Sequence, residues 1–252
     1  MELNIMYLGI GGFPLYIDWT YILILIGLVI TSLASSSMKK TYATYAKQRA
    51  VCGLTGAQVA KKILAANEIY GISVQPTQGE LTDNYNPKDK CVYLSQDIYN
   101  GQSIAAVSVA AHECGHAIQD DKAYAPLRIR SILVPVASFG SKLAWPMIII
   151  GIILAGLSQY ASGTGQTLVN IGIVLYSLSI LFQLVTLPVE FNASSRALEQ
   201  LDALGIVDGQ EKEDAGKVLK AAALTYVAAA SAGLLSLFRI IILFGGRNNR
   251  RN

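Results

Sequence analysis

The sequence predicts a mainly α-helical integral membrane protein with three or four transmembrane helices and a small cytoplasmic α-rich domain that carries a short β element. Three observations predict this class. Of the 252 residues, 52% are hydrophobic and only 15% are charged, against roughly 25% charged residues in soluble globular proteins. Apolar runs of about membrane-spanning length alternate with polar segments. Within the polar segments, helical periodicity is interrupted by one turn-rich stretch with short β-prone runs.

The first candidate transmembrane segment is residues 19–34, "WTYILILIGLVITSLA". Its length approaches the roughly 20 residues that span a bilayer, and Trp19 and Tyr21 can anchor one interface. Only Glu2 and Asp18 carry charge before it, so it lacks the basic region of a cleaved signal peptide. We therefore expect this segment to remain as an anchor.

Two further apolar runs, at 143–158 and 167–189, flank the uncharged turn "QYASGTGQ". Together they predict a transmembrane hairpin. The run 221–244 is a fourth candidate, although its first half is only weakly apolar and Arg239 interrupts its second half.

Clusters of Lys and Arg predict the orientation, because cytoplasmic loops are enriched in these residues. They follow the first span and precede the second, at Lys39, Lys40, Lys47, Arg49, Arg128 and Arg130. The segment between them is therefore expected in the cytoplasm, and the turn at 159–166 outside. A fourth span would place Arg247, Arg250 and Arg251 outside, against this bias. A re-entrant or interfacial final helix would remove the conflict.

The polar segment after the first span predicts short helices around a small β element. Residues 55–70 show helical spacing, with Thr55 as the expected N-cap and Gly71 as the expected stop. The β-prone runs 72–75 and 91–94 are separated by turn residues and predict a small hairpin or edge strand. Ser95 is then expected to cap the helix that follows.

Charge and cysteine content exclude other classes of protein and site. A formal net charge of +3 is too small to indicate nucleic-acid binding, so the expected partner of the basic clusters is the lipid bilayer. Cys52, Cys91 and Cys114 form neither a CxxC pair nor an even set. We therefore expect reduced cysteines that pack, and neither a disulfide framework nor a thiolate zinc site.

The motif with the clearest chemistry is His112-Glu113-Cys114-Gly115-His116, which contains both histidines of the chain. On a helix, His112 and His116 project from one face, where two imidazoles can bind a single Zn²⁺. Glu113 lies beside them, with the spacing of the general base in an H-E-x-x-H motif. The alternative is a pair of buried, hydrogen-bonded histidines.

A catalytic zinc site of this type needs a third protein ligand, which must be a carboxylate because no histidine remains. Glu190 is the best candidate, since a carboxylate at the end of an apolar run is costly unless it is paired or bound to metal. The alternative is an interfacial Glu190 paired with Arg196. Asp120 lies a further helical turn beyond His116 and is not expected to reach the metal. The candidates to hold a ligand histidine in place are Asn192, Ser194 and Asp120.

These stretches carry a family resemblance. "AAHECGHAIQ", a hydrophobic hairpin and then "PVEFNASSRAL" resemble the YugP-like neutral zinc metallopeptidases, and "LTDNYNPKDKCVYLS" resembles their LTDxYxP segment. The match covers most of residues 19–245. More distantly, the chain is similar to the HtpX and CAAX prenyl protease group of gluzincins, in which H-E-x-x-H pairs with an E-F-x-A-D helix. Here Ser194 stands where that group has the aspartate that would orient a histidine.

The resemblance implies a zincin-like membrane metallopeptidase with zinc on His112, His116 and Glu190 and with Glu113 as general base. We expect one metallopeptidase unit over 1–252, with catalytic segments at 50–125 and 190–220. The expected location is the prokaryotic plasma membrane, with the active site on the cytoplasmic side.

The expected activity is hydrolysis of peptide bonds by a metal-activated water, without an acyl-enzyme. The candidates to donate a hydrogen bond to the oxyanion are Tyr226 and Arg239. Expected substrates are peptides or membrane proteins, and the number of copies in the assembly is left open. The alternative function is a non-catalytic zinc-binding membrane scaffold or a transporter, although we find no repeat of the kind that transporters carry.

Overall fold

The computed structural model describes residues 6–10, 13–157 and 162–244, and the chain is mainly helical, as predicted. The helices are, in chain order, α1 (Tyr21–Tyr45), α2 (Gly56–Ala66), α3 (Gln96–Tyr99), α4 (Ile104–Asp121), α5 (Ala125–Leu157), α6 (Ser162–Ala203) and α7 (Gly209–Phe244). The strands are β1 (Met6–Ile10), β2 (Phe13–Ile17), β3 (Ser73–Thr77), β4 (Asn84–Asn86) and β5 (Cys91–Ser95). Residues 159–161 of the predicted turn, and Arg247, Arg250 and Arg251, lie outside the described residues, whereas residues 162–166 of that turn belong to α6.

Within the described residues, four helices are long and apolar enough to cross a membrane, namely α1, α5, α6 and α7. The run 221–244, which the sequence left open, lies within α7. Along α1 most large apolar side chains are exposed, among them Leu25, Leu28 and Leu33 at 57%, 60% and 66%. Apolar exposure of this extent is typical of a lipid-facing helix. The fold class is therefore a mainly α-helical membrane protein.

The chain divides into two compact units. The first comprises the described residues within Met1–Leu33, Leu133–Gln183 and Ala228–Asn252. Besides the antiparallel pair β1–β2, it contains stretches of the long helices that meet at small residues. A Cβ added to Gly151 would lie 2.6 Å from the carbonyl oxygen of Gly165, so these two helices approach each other backbone to backbone. Such small-residue contacts are the usual packing mode of membrane helices.

The second unit comprises Ala34–Ile132 and Leu184–Val227. Its core contains fully buried side chains of α2 and α4, such as Val59, Ile63 and Val107. Thr55 caps α2 as predicted, because its hydroxyl accepts from the Gln58 amide while the Gln58 side chain accepts from the Thr55 amide. The predicted stop at Gly71 is wrong. The helix ends at Ala66 with Asn67 as its C-cap, and Glu68 follows with a φ of +59°.

The small sheet differs from the predicted hairpin. Strands β3 and β5 pair in parallel, and β4 adds antiparallel to the other edge of β5. The run at 91–94 is therefore the central strand and not an edge, since the chain crosses over between β3 and β5. Ser95 lies at the N-cap position of α3, as predicted, but its hydroxyl contacts Asp83 and makes no capping hydrogen bond to the helix.

Helix α4 is the element that positions the candidate site. It begins after Ser103, whose hydroxyl accepts from the Ala106 amide. Most of its residues are buried, because small side chains such as Ala110 and Ala111 let neighbouring elements pack closely around it. A helix packed in this way can hold its polar side chains in fixed positions.

Candidate metal centre

The structure brings together His112 and His116 of α4 with Glu190 of α6. Nε2 of His112 lies 3.2 Å from Oε2 of Glu190, and Nε2 of His116 lies 3.7 Å from the same oxygen. One potential ligand atom from each residue lies within 4.8 Å of the other two. These are the three residues that sequence reasoning proposed as zinc ligands, and they form a three-donor group on two helices.

The close approach of α4 to α6 depends on Gly115, a position between the two histidines. A Cβ added to Gly115 would lie 2.5 Å from the carbonyl oxygen of Ala193. Any side chain at position 115 would therefore push the two helices apart. Ala193 is three residues beyond Glu190, so this contact brings the carboxylate to the imidazoles.

The donor set fits a zinc ion. Two donors bound to one Zn²⁺ at about 2.0–2.1 Å in a tetrahedral arrangement lie about 3.3 Å apart. The two nitrogen–oxygen separations, 3.2 and 3.7 Å, are close to that value. The rings of His112 and His116 are nearly perpendicular, with centroids 4.8 Å apart. Two imidazoles and one carboxylate form a typical donor set for a catalytic zinc ion, which leaves a fourth position open.

Gln119 determines which nitrogen of His116 faces the other donors. The Gln119 amide nitrogen donates to the carbonyl oxygen of Val189 at 2.8 Å and to Oδ1 of Asn192 at 3.0 Å. Its oxygen is therefore the atom that faces Nδ1 of His116, at 3.0 Å. Because an amide oxygen only accepts, Nδ1 of His116 must donate, and the lone pair of Nε2 is left for a metal.

Ser194 holds the other histidine. Its hydroxyl lies 3.2 Å from Nδ1 of His112, so it can accept that N–H and leave Nε2 as the metal donor. The serine thus occupies the orienting position expected for the aspartate of the distant gluzincins. Asn192 supports His116 only indirectly, through Gln119. Its side-chain oxygen accepts from the Gln119 amide nitrogen and from Nε of Arg196.

Arg130 is, with Gln119, a residue at the site whose role sequence reasoning missed, since Arg130 was interpreted only as a topology signal. Its Nη1 lies 3.1 Å from Oε1 of Glu190, whose side chain is only 2% exposed. Oε2 faces the imidazoles, so the two carboxylate oxygens have separate partners. The alternative pairing of Glu190 with Arg196 is not observed, because Arg196 donates to Asn192. No sequence signal links positions 130 and 190, which lie on different helices.

Replacing Arg130 by methionine should destabilise the metal-free protein, because it removes the guanidinium from a buried carboxylate. We expect the unfolding temperature of the chelator-treated protein in detergent to fall by roughly 5 °C. Adding Zn²⁺ should recover most of the difference, since the metal supplies a cation at Glu190. Arg128→Met is the matched control, because Arg128 is exposed on the same helix. Equal unfolding temperatures for both variants would contradict the importance of the Arg130–Glu190 pair.

Glu113 interacts electrostatically with His112 and Glu190. Its side chain is buried, and its Oε2 accepts a 2.9 Å hydrogen bond from the backbone amide of Tyr85. Burial raises the pKa of Glu113 to about 7, with Glu190 and Asp83 also raising it, while His112 and the Tyr85 amide lower it. A carboxylate with a pKa near neutrality can both accept and return a proton at neutral pH.

Of the remaining predicted residues, Tyr226 lies at the site. The side chain of Tyr226 interacts with Glu190 and Arg130. Asp120 does not support a histidine as predicted, because its carboxylate accepts from Oη of Tyr85 at 2.8 Å and from Nζ of Lys90 at 2.7 Å.

Arg239, the other predicted oxyanion donor, has polar and aromatic partners within the first unit. Its guanidinium lies 3.4 Å from the carboxylate of Asp18 and 4.1 Å from the centre of the Tyr21 ring. A cation in a membrane helix needs such partners, and these contacts account for an arginine in an apolar run.

Comparison with known proteins agrees with this geometry. Residues 20–245 match the family described as "Putative neutral zinc metallopeptidase". The chain is 43% identical over 211 residues to a protein of Bacillus subtilis (strain 168) named "Putative membrane protease YugP", which covers 84% of this chain and 90% of that relative. No solved structure matches the chain. Since the family match extends over most of the sequence, the chain belongs to this family of neutral zinc metallopeptidases.

Proposed function

We propose that the chain is a membrane-bound, zinc-dependent endopeptidase of the gluzincin type, with His112, His116 and Glu190 as zinc ligands and Glu113 as general base. The observation that carries this proposal is the convergence of the three donors from two helices, with Nε2 of both imidazoles directed at one carboxylate oxygen. Family membership supports the same chemistry. The test is a paired measurement of zinc content and peptide hydrolysis on a Glu113→Gln variant.

A bound Zn²⁺ would acidify a water molecule and polarise the scissile carbonyl. In the proposed reaction Glu113 accepts the proton of the attacking water and delivers it to the leaving amine. Ser194 and Gln119 keep the two imidazoles in the tautomer that presents Nε2. Tyr226, whose hydroxyl is close to Glu190, is the remaining candidate to donate to the oxyanion.

The natural substrate is proposed to be a peptide or a membrane protein that reaches the site from the cytoplasmic side of a prokaryotic plasma membrane. Two arguments support this location. Among the described residues, four helices are apolar enough to span a bilayer. The segment 50–125, proposed to be catalytic, is flanked by Lys and Arg clusters, and 190–220 returns to the same side if the predicted turn at 159–166 lies outside. Such clusters favour the cytoplasmic side.

Cysteine labelling tests this orientation. In a background without Cys52, Cys91 and Cys114, a cysteine introduced at Lys47 should react with an impermeant maleimide only after the membrane is opened. A cysteine at Gly163 should react in intact cells, because the positive-inside bias places the start of α6 outside. Both positions are exposed, so access is determined by the membrane. The opposite labelling pattern would place the active site outside the cell.

A further inference from the structure

The segment "LTDNYNP", residues 81–87, has no role in the zinc chemistry described above, yet it contains β4 and contacts Glu113. Tyr85 is its central residue and pairs with Val92 across the sheet. The Tyr85 amide points away from β5 and donates to Oε2 of Glu113 at 2.9 Å. Because alternate strand amides face opposite edges, this amide belongs to the outer edge of the sheet.

Tyr85 contacts α4 at two points. Its backbone amide binds Glu113, and its hydroxyl donates to Oδ2 of Asp120 at 2.8 Å. Glu113 and Asp120 are seven residues apart, which places them on one face of the helix and about 10.5 Å apart along its axis. The tyrosine side chain therefore extends along this face of α4. The backbone amide at one end of the residue and the hydroxyl at the other end both hydrogen-bond to the helix.

Side chains also hold the ends of the segment. Asp83 accepts from the Ser95 amide at 2.7 Å and from the Ser95 hydroxyl at 3.1 Å, which ties the start of β4 to the end of β5. At the other end, Lys90 forms a 2.7 Å ion pair with the same Asp120 oxygen that accepts from Tyr85. The Tyr85 amide, which binds Glu113, thus lies between two side-chain contacts, Asp83–Ser95 before it and Lys90–Asp120 after it.

We propose that Tyr85 is a positioning residue that holds the carboxylate of Glu113 in its working orientation, and that Asp120 and Lys90 hold Tyr85. This inference rests on the proposed function, since it assigns a role relative to the general base. A hydrogen bond to one oxygen restricts the rotation of the carboxylate about its Cγ–Cδ bond, and this restriction fixes the direction of the other oxygen. Preorganisation of this kind is effective because small displacements of a catalytic group lower turnover strongly.

The contact also bears on how a substrate could bind. The Tyr85 amide is occupied by Glu113, and Pro87 has no amide hydrogen to offer. The outer edge of β4 therefore lacks the consecutive free donors that an added substrate strand would need. This favours a positioning role for the segment over a substrate-pairing role.

The test compares Tyr85→Phe with Tyr93→Phe in the full-length protein. Tyr93 lies on the adjacent strand β5, and its hydroxyl contacts Asp89 at 3.3 Å and not α4. We expect Tyr85→Phe to lower kcat about tenfold, while KM and the zinc dissociation constant, measured by chelator competition, stay within about twofold of wild type. Tyr93→Phe should leave kcat unchanged.

Three further results decide the inference. Combining Tyr85→Phe with Asp120→Ala should lower kcat no more than either change alone, because both remove the same hydrogen bond. An equal fall of kcat in Tyr93→Phe, or a change confined to KM, would overturn the positioning role. A kcat for Tyr85→Phe equal to wild type would also overturn it. The proposed function itself would be overturned by an active Glu113→Gln variant or by a zinc-bound wild-type protein that cleaves no peptide.

Discussion

The Glu113→Gln variant should bind one zinc ion per chain and lose peptide hydrolysis by about 10³-fold or more. Glutamine keeps the shape of the side chain, and its amide oxygen can still accept from the Tyr85 amide. It cannot accept a proton from water at neutral pH. Because Glu113 is not among the three residues whose donor atoms converge, zinc content should not change. The measurement pairs metal analysis with a peptidase assay on purified protein.

Glu199→Gln is the matched control, because Glu199 is an exposed carboxylate on α6, and it should retain wild-type activity. Full hydrolysis by Glu113→Gln would refute the assignment of the general base. If the wild-type protein bound zinc and cleaved no peptide at all, the non-catalytic scaffold or transporter would become the better hypothesis.

Most of what the sequence could predict about the site came from the four-residue spacing of its two histidines. His112 and His116 are neighbours through helix geometry alone, so their approach needs no tertiary information. Glu190 was a candidate because an acidic residue at the end of an apolar run needs a partner. The structure places its carboxylate beside both imidazoles. The cost of burying a carboxylate had indicated that Glu190 needs a partner, but it could not identify the two histidines, which are distant in sequence.

Contacts between distant segments account for what the sequence did not predict. Arg130 and Gln119 are unremarkable in sequence, and their roles arise only when α4, α5 and α6 pack together. The hairpin prediction failed because strand order depends on a crossover, and local turn signals cannot distinguish parallel from antiparallel pairing. The contact of Arg239 with Asp18 was not predictable either, because the two residues lie 221 positions apart.

The Glu190→Ala variant should lose zinc affinity by more than 100-fold. Removing a residue that merely supports a ligand typically costs roughly 10–100-fold in affinity, and Glu190 is proposed to supply one of only three protein ligands. The loss has a second cause, because Arg130 would remain beside the histidines with its carboxylate partner removed. An uncompensated cation close to the metal position opposes the binding of Zn²⁺. Competition with a chelator of known affinity measures the change.

Two further variants test whether the loss of zinc affinity comes from the removal of a metal ligand. Glu190→Gln keeps the volume of the side chain and one neutral oxygen donor, so its zinc affinity should lie between those of alanine and wild type. Asp120→Ala should bind zinc as wild type does, because the Asp120 carboxylate contacts Tyr85 and Lys90. Each variant is first checked for its helical content and unfolding temperature, since a misfolded site would also lose zinc. Wild-type affinity in a folded Glu190→Ala would exclude Glu190 as a ligand and require a different carboxylate beside His112 and His116.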